Sequence, residues 1–347
     1  MIRSNRTESN RIEWIDYAKG IAICLVIIGH TVNKGTPHTD DLIRGDILSF
    51  HMPLFFTLSC LTTTASNDWH TFLARTGKTF RRTILPLVMT FTLTKVIGVI
   101  KYGVPADASE YFVSIAKTLL YSSGVEVTSA NAPALGALWF LVVLFLGKTM
   151  EDFILMRYSA RTAAAASIML GIAGVLIHDH YLPFSLDIAL AIMPFMYIGY
   201  EAKAYLEKPF SGKLLGAAFV IWIGCFYMIY KNTGSYLELA TREYPMGIFC
   251  YMCAFGGILF LSESSKILTK VNAAKDLIVY LGKNSMIIYL VHSIDYWLEF
   301  MWKQSQSSGI NSLLRLLVIC GLAACISATW KCITRGKKQQ KRWNQQV

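Results

Sequence analysis

Long apolar segments, separated by short polar and charged ones, run through almost the whole chain. An α-helix needs about 20 mostly apolar residues to cross the hydrocarbon core of a bilayer, so this pattern predicts membrane-spanning helices. The segment with His51 and Pro53 is expected to be broken or re-entrant, because proline frees backbone groups. The fourth segment is also weak and is expected to extend or tilt. The ten predicted spans are residues 17–33, 46–65, 83–101, 134–148, 162–178, 185–201, 213–230, 245–262, 278–300 and 311–331.

The placement of positive charge supports this count. With the N-terminus in the cytoplasm, roughly three-quarters of the 33 Lys and Arg residues fall on the cytoplasmic side, alternating loop by loop. Both termini then lie in the cytoplasm, which requires an even number of spans. We therefore expect an all-α integral membrane protein with about ten transmembrane helices. It forms one domain over residues 1–347, with a cytoplasmic segment 1–16, a basic cytoplasmic tail 332–347 and no appended soluble domain.

Composition excludes several classes of protein. The chain is 54% hydrophobic and 16% charged, whereas soluble domains carry about 25% charge and disordered chains have low hydrophobicity. The net charge of +11 follows from membrane insertion and from the basic tail, which is expected to face phospholipid. We expect no nucleic-acid partner. Cys250 and Cys253 form a lone CxxC within an apolar run, so we expect no metal site and no disulfide framework. The first apolar segment lacks a signal-peptide cleavage site.

The first predicted span carries ionisable groups, which are costly inside a membrane and are therefore candidates for function. Lys19 and His30 are almost three helical turns apart, so they share one helix face and are separated by about 16 Å along the axis. If Lys19 lies at the cytoplasmic boundary, His30 lies about midway through the bilayer. Asp16 points to nearly the same side. This face suits a ligand with an anionic head and a reactive tail; the alternative is that His30 bonds a neighbouring helix and Lys19 reaches the interface.

Other candidate residues lie in later segments. His51 faces any cavity formed by the broken second span, or is a packing histidine. A cytoplasmic cluster before the third span is partly an insertion signal, yet Lys78 and Arg81 can share a helix face and present donors to phosphates. Trp139, at a boundary, is an interfacial anchor or a site residue. The further residues considered are Arg82, Ser285 and His292.

Five segments in order resemble the acyltransferase-3 family of membrane O-acyltransferases, especially its fucose-4-O-acetylase-like branch. They are RIEWIDYAKGIAICLVIIGH, SFHMPLFFTLSC, FLARTGKTFRRTILP, ALWFLVVLF and LGKNSMIIYLVH. Lys19 and His30 match the family's basic residue, ten intervening positions and histidine. Two positions depart from the pattern. The family's Arg-x-x-Arg is met by Lys78-x-x-Arg81 with Arg82 adjacent, and Cys60 stands where the family usually has glycine.

The resemblance implies transfer of an acyl group, usually acetyl, from cytoplasmic acyl-CoA to a sugar hydroxyl of a cell-envelope polysaccharide or its lipid-linked precursor. It implies a multi-pass protein of the bacterial inner membrane whose partners are acyl-CoA, the glycan and the bilayer. Acetyl-CoA is then a donor rather than a tightly bound cofactor. Lys19, Lys78, Arg81 and Arg82 are expected to hold its phosphates. Trp139, Ser285 and His292 are expected near the acceptor or behind the site.

The catalytic residues expected from the resemblance are His30, Asp16 and His51. His30 acts either as the general base on the acceptor hydroxyl or as a nucleophile that carries the acyl group. A general-base histidine needs an orienting partner, for which the sequence offers Asp16, Asp40, Asp41, Glu126 and Asp187. The rival interpretation is a multi-span transporter of an anionic solute or glycan. Transporters commonly contain inverted repeats, and the sequence shows none. The sequence does not indicate an oligomeric state.

Overall fold

The computed structural model describes residues 12–32, 38–103, 105–271, 273–305 and 307–343. These ranges are helical, with short 3₁₀ turns, two isolated β-bridges and no strand. Residues 1–11 of the predicted N-terminal segment and 344–347 of the tail lie outside the described part. The α-helices are α1 Glu13–Gly29, α2 His38–Leu48, α3 His51–Leu61, α4 Trp69–Tyr102, α5 Ala108–Tyr121, α6 Trp139–Arg157, α7 Ala160–Leu176, α8 Leu186–Ala191, α9 Met193–Glu201, α10 Gly212–Thr233, α11 Ile248–Val271, α12 Lys275–Lys283, α13 Ser285–His292, α14 Glu299–Trp302 and α15 Ser308–Trp343.

Four of the described helices are long and apolar enough to cross a membrane: α4, α10, α11 and the Ser308–Thr329 part of α15. The segments Pro183–Ala191 and Met193–Glu207 make a fifth if their 53° bend is counted within one span. The other predicted segments contain helices that are shorter or more charged. The membrane-protein class is therefore supported, whereas ten spans and cytoplasmic termini stay predictions.

The second predicted span is broken in the structure. Helix α2 ends at Leu48, two residues form a turn, and α3 begins at His51. Pro53 lies in the first turn of α3, where its missing N–H costs no helical hydrogen bond. The break places His51 beside the end of α1, where it lines the same cavity as His30.

Helix α1 lies at the centre of the bundle and packs against α2, α3, α11, α12, α13 and α15. Its crossing with α12 is very close. A Cβ added at Gly20 would lie 2.0 Å from the Ile278 carbonyl oxygen, and one at Gly282 would lie 1.7 Å from the Asp16 carbonyl oxygen. Only glycine at these two positions allows the backbones to approach so closely. The central position of α1 explains how it contributes residues to both ends of the molecule.

Helix α4 is 34 residues long and lies at the periphery. Asp68 caps its first turn by accepting a hydrogen bond from the Thr71 amide, and this bond holds the pKa of Asp68 below its ordinary value. Its later turns expose large apolar side chains such as Met89 and Ile100, as expected of a helix that contacts lipid. Its first turns instead carry the basic cluster, so one helix joins the lipid-facing part to a charged end.

Candidate active site

A small cavity of about 30 Å³ lies where the last turn of α1 meets the break between α2 and α3. We call it the histidine cavity, because His30 and His51 both line it. The side chain of His30 is exposed to this space, although it lies within the bundle. Two of the residues predicted to be catalytic thus line the same cavity. The full lining is Val26, His30, Leu48, His51, Met52, Ala137, Trp139, Glu238, Leu239, Ala240 and Tyr289.

A buried polar cluster stands behind His30. The rings of His30 and His292 are in contact, with centroids 5.1 Å apart. His292 Nδ1 lies 3.3 Å from an Asp295 carboxylate oxygen, and Arg315 donates to both oxygens of that carboxylate at 2.6 and 2.9 Å. Arg315 also donates to the His30 carbonyl oxygen at 2.8 Å. This cluster fixes the end of α1 and, through His292, the surroundings of the His30 ring.

His51 is held differently. It is the first residue of α3, and its Nδ1 lies 2.9 Å from the carbonyl oxygen of Ile47 in the last turn of α2. The same carbonyl oxygen also accepts a longer hydrogen bond, of 3.4 Å, from the Phe50 amide in the turn between the two helices. Its Nε2 is buried and has no hydrogen-bond partner among the described residues.

The wall opposite the histidines is aromatic and acidic. Trp139 is buried and begins α6, so it lines the cavity rather than anchoring the chain at the membrane surface. Glu238 reaches the cavity from the loop between α10 and α11, and its carboxylate pairs with Arg44 at 3.0 Å. Tyr289 donates its hydroxyl hydrogen to the Ala137 carbonyl oxygen.

A second, larger cavity of about 550 Å³ lies toward the other end of α1. We call it the basic cavity. Asp152 is its one carboxylate among the described lining residues, and both of its oxygens accept hydrogen bonds from Ser66 at 2.7 Å. The cavity therefore carries a strong excess of positive charge. Its cationic lining residues are Lys19, Arg75, Lys78, Arg82 and Lys148.

Three predicted site residues lie away from both cavities. Lys78, Arg81 and Arg82 are all exposed. Lys78 and Arg82 line the basic cavity, whereas Arg81 does not. Asp16 is buried where α1 crosses α12, about 21 Å along the axis from His30. Ser285 begins α13 and lines neither cavity.

The carboxylates considered as partners for His30 are mostly engaged elsewhere. Asp187 pairs with Arg242, Asp41 accepts from the Tyr230 hydroxyl, and Asp40 accepts from Ser308. Glu126 is exposed. The structure instead places the carboxylate of Asp295 beside His292, whose ring contacts the ring of His30.

Three functional candidates were missed in the sequence: Lys148, Asp295 and Arg315. A signal for them existed. Each is an ionisable residue inside or at the end of a predicted apolar segment, and such residues are rare in membranes unless paired or functional. Pairing Asp295 with Arg315 required knowledge of how α13, α14 and α15 fold together.

The histidine cavity and the basic cavity are separate but share four helices, α1, α3, α6 and α13. The residues that these helices contribute to the histidine cavity and to the basic cavity are, respectively, Val26 and Lys19 in α1, His51 and Ser59 in α3, Trp139 and Lys148 in α6, and Tyr289 and Met286 in α13. The rings of Phe56 and Phe140 lie 5.0 Å apart, and those of Phe140 and Tyr289 lie 5.4 Å apart. These three rings form an aromatic septum between the cavities. Lys19 and His30, which are predicted to share one helix face, therefore line two different cavities.

Among the described residues, no group of three or more His, Cys, Asp or Glu side chains is arranged to hold a metal ion. Cys250 and Cys253 lie one turn apart in α11 and contact backbone carbonyl oxygens of Pro245 and Trp222. The ionisable side chains that line the two cavities carry imidazole, carboxylate, phenol, ammonium and guanidinium groups.

Comparisons with known proteins identify the family of this chain. A family model described as an acyltransferase domain, acyltransferase-3, matches residues 12–330. Nodulation protein NolL of Mesorhizobium japonicum is 24% identical over 349 residues, covering 92% of this chain and 86% of NolL. No solved structure matches. Because the matched region contains both cavities and nearly the whole helical bundle, the chain belongs to the acyltransferase-3 family and is a membrane acyltransferase.

Proposed function

We propose that this acyltransferase moves an acetyl group from cytoplasmic acetyl-CoA to a sugar hydroxyl of a cell-envelope polysaccharide or its lipid-linked precursor. The observation that carries the proposal is the pair of cavities on α1, one cationic and one lined by two histidines. A polyanionic donor fits the first, and acyl transfer fits the second. The proposed setting is the inner membrane of a bacterium, with both termini in the cytoplasm.

The basic cavity suits the phosphate groups of coenzyme A. Ammonium and guanidinium groups form strong, charge-assisted hydrogen bonds to phosphate oxygens. Its volume of about 550 Å³ is in the range of small-molecule sites, roughly 300–1,000 Å³. Lys148 donates to the Ser59 carbonyl oxygen at 2.9 Å, so its ammonium group is already oriented at the cavity wall. Lys19, Lys78, Arg82 and Lys148 are the residues we assign to the donor.

The histidine cavity suits the chemical step. His30 is reachable from the cavity and acts either as general base on the acceptor hydroxyl or as the nucleophile that first accepts the acetyl group. The His292–Asp295–Arg315 cluster orients it. The low-polarity surroundings supplied by Trp139 and Tyr289 strengthen any hydrogen bond to the oxyanion that forms.

The septum imposes a conformational step on this mechanism. The thioester has to pass between Phe56, Phe140 and Tyr289 before it reaches His30, so the proposal includes opening of the septum after the donor binds. Closure at other times keeps water in the histidine cavity away from the thioester. The acceptor then enters from the side opposite the basic cavity.

The experiment that tests the proposal compares the His30→Ala variant with the wild type and with His178→Ala, in which an exposed histidine is removed. In membrane vesicles supplied with radiolabelled acetyl-CoA, His30→Ala is expected to lose acetyl incorporation into glycan, while His178→Ala retains it. Acetyl-CoA is expected to raise the Tm of both purified variants, because the basic cavity is intact and binding to the folded state stabilises it.

Mass spectrometry of envelope glycans, with and without the gene, identifies the acyl group and the modified sugar. Normal acetylation by folded His30→Ala would refute the assignment of His30. A wild-type protein whose Tm does not respond to acetyl-CoA, and whose loss leaves every glycan unchanged, would refute the proposed acetyl transfer from acetyl-CoA to a glycan.

A further inference from the structure

His51 presents an unused proton acceptor to the histidine cavity. Its side chain is 1% exposed, and its Nε2 has no hydrogen-bond partner in the described part of the chain. Buried polar atoms in native proteins are nearly always paired, so an unpaired one in a cavity wall calls for a ligand or a chemical role. The cavity is the same one that His30 lines.

The hydrogen bond on the other side of the ring defines which nitrogen is basic. The Ile47 carbonyl oxygen, 2.9 Å from His51 Nδ1, can only accept a hydrogen bond. In the neutral ring the proton therefore lies on Nδ1, and Nε2 carries a lone pair. The bond also holds the ring orientation, because Ile47 lies in the last turn of α2 and His51 begins α3.

The other ionisable groups at this cavity are less suited to take a proton. Glu238 is bound by Arg44, with contacts of 3.0 and 3.3 Å to its two oxygens. Both oxygens of this carboxylate are thus already engaged by a guanidinium group. The His30 ring packs against His292. His51 has a ring orientation fixed by one hydrogen bond, and its second nitrogen is buried without a partner among the described residues.

We propose that His51 Nε2 is the general base that takes the proton from the acceptor hydroxyl. This rests on the proposed acetyl transfer and gives the base role to His51, which leaves His30 to meet the donor. The hydroxyl proton moves to His51 Nε2 as the hydroxyl oxygen forms a bond to the acetyl carbon. The bond from that carbon to its donor atom, the thioester sulfur or a His30 nitrogen, then breaks. The donor atom leaves with the electron pair of that bond. It then receives from His51 Nε2 the proton that came from the acceptor hydroxyl.

The test uses His51→Asn in the full-length protein. The asparagine amide nitrogen can take the place of Nδ1 and keep the bond to the Ile47 carbonyl oxygen, while Nε2 is lost. Since a general base contributes about 10²- to 10⁴-fold, acetyl incorporation from radiolabelled acetyl-CoA into vesicle glycan is expected to fall by that factor. The KM for acetyl-CoA and the rise in Tm that it causes are expected to stay unchanged, because the basic cavity is separate.

Chemical rescue separates a base from a packing residue. Removing the ring in His51→Ala leaves space for a small heterocycle, so added imidazole is expected to restore activity, whereas pyrazole, of similar shape but far weaker basicity, is not. Equal rescue by both compounds, or by neither, would assign His51 a packing role. Activity of His51→Asn within a few-fold of wild type would also assign His51 a packing role. If only the His51 assignment is wrong, His30→Ala is still expected to be inactive. If the proposed acetyl transfer itself is wrong, the wild type incorporates no acetyl group into glycan, so the two outcomes can be distinguished.

Discussion

The side chains of the basic cluster on α4 divide by helix face. Arg75, Lys78 and Arg82 follow one another at spacings of three and four residues, so they lie on one face, and all three line the basic cavity. Arg81 is one position before Arg82, about 100° away around the helix, and is exposed. The sequence left open which residue follows Lys78 in the family's paired-arginine pattern; of the two candidates, Arg82 is the one that lines the basic cavity.

This division predicts different effects from two adjacent substitutions. Arg82→Ala is expected to weaken acetyl-CoA binding about tenfold or more, because hydrogen bonds to charged groups contribute roughly 1.5–3 kcal/mol. Arg81→Ala, the matched control, is expected to change the Kd less than threefold. Isothermal titration of the purified proteins with acetyl-CoA measures both. Equal losses in the two variants would mean that general surface charge, rather than the basic cavity, attracts the ligand.

The crossing of α1 with α12 is the closest helix contact that bears on the site. Gly20 and Gly282 face the opposing backbone, so neither helix can shift to accept a side chain without moving the other. Since α13 follows α12 after Asn284, this crossing also determines where Met286, Tyr289 and His292 lie. The helix pair thus positions one wall of each cavity.

Substitution of these glycines is therefore expected to be costly. Gly282→Ala places a Cβ 1.7 Å from the Asp16 carbonyl oxygen and is expected to destabilise the protein by about 2 kcal/mol or more, within the upper range for overpacking. Gly216→Ala in α10 is the control, since nothing lies within 4 Å of the added Cβ and alanine favours a helix. Thermal unfolding in detergent should show a lower Tm for the first variant alone. An unchanged Tm for Gly282→Ala would contradict the close crossing.

The molecule has two chemically different ends. The basic cavity and the α3–α4 connection lie at one end, and the loop between α10 and α11 closes the histidine cavity at the other. Under the proposed function, the donor reaches the basic cavity from one side of the membrane and the acceptor reaches the histidine cavity from the other. The thioester end of the donor then crosses the septum, while its phosphates stay in the basic cavity.

Sidedness can be measured with single cysteines. Asn67, exposed beside the basic cavity, and Asp179, exposed near the opposite end, are suitable sites. In intact cells, Asp179→Cys is expected to react with a membrane-impermeant maleimide above the background of the native cysteines, and Asn67→Cys only after the membrane is opened. The reverse pattern would place the basic cavity outside the cell and exclude cytoplasmic acetyl-CoA as donor.

The sequence by itself determined the membrane class and the family, because apolar length and ordered motifs are local properties of the chain. It also determined that Lys19 and His30 share a face, since helical periodicity decides that without tertiary contacts. It indicated a break near Pro53, which the structure places between α2 and α3.

Only the tertiary structure decided which residues meet. Asp295 and Arg315, rather than Asp16, stand behind the histidines, and Lys148 joins Lys19 and Lys78 although these residues lie on three different helices. Such contacts depend on helix crossings, which sequence spacing does not encode. The aromatic septum is of the same kind: its rings come from α3, α6 and α13, and their packing closes a path that α1 alone would leave open.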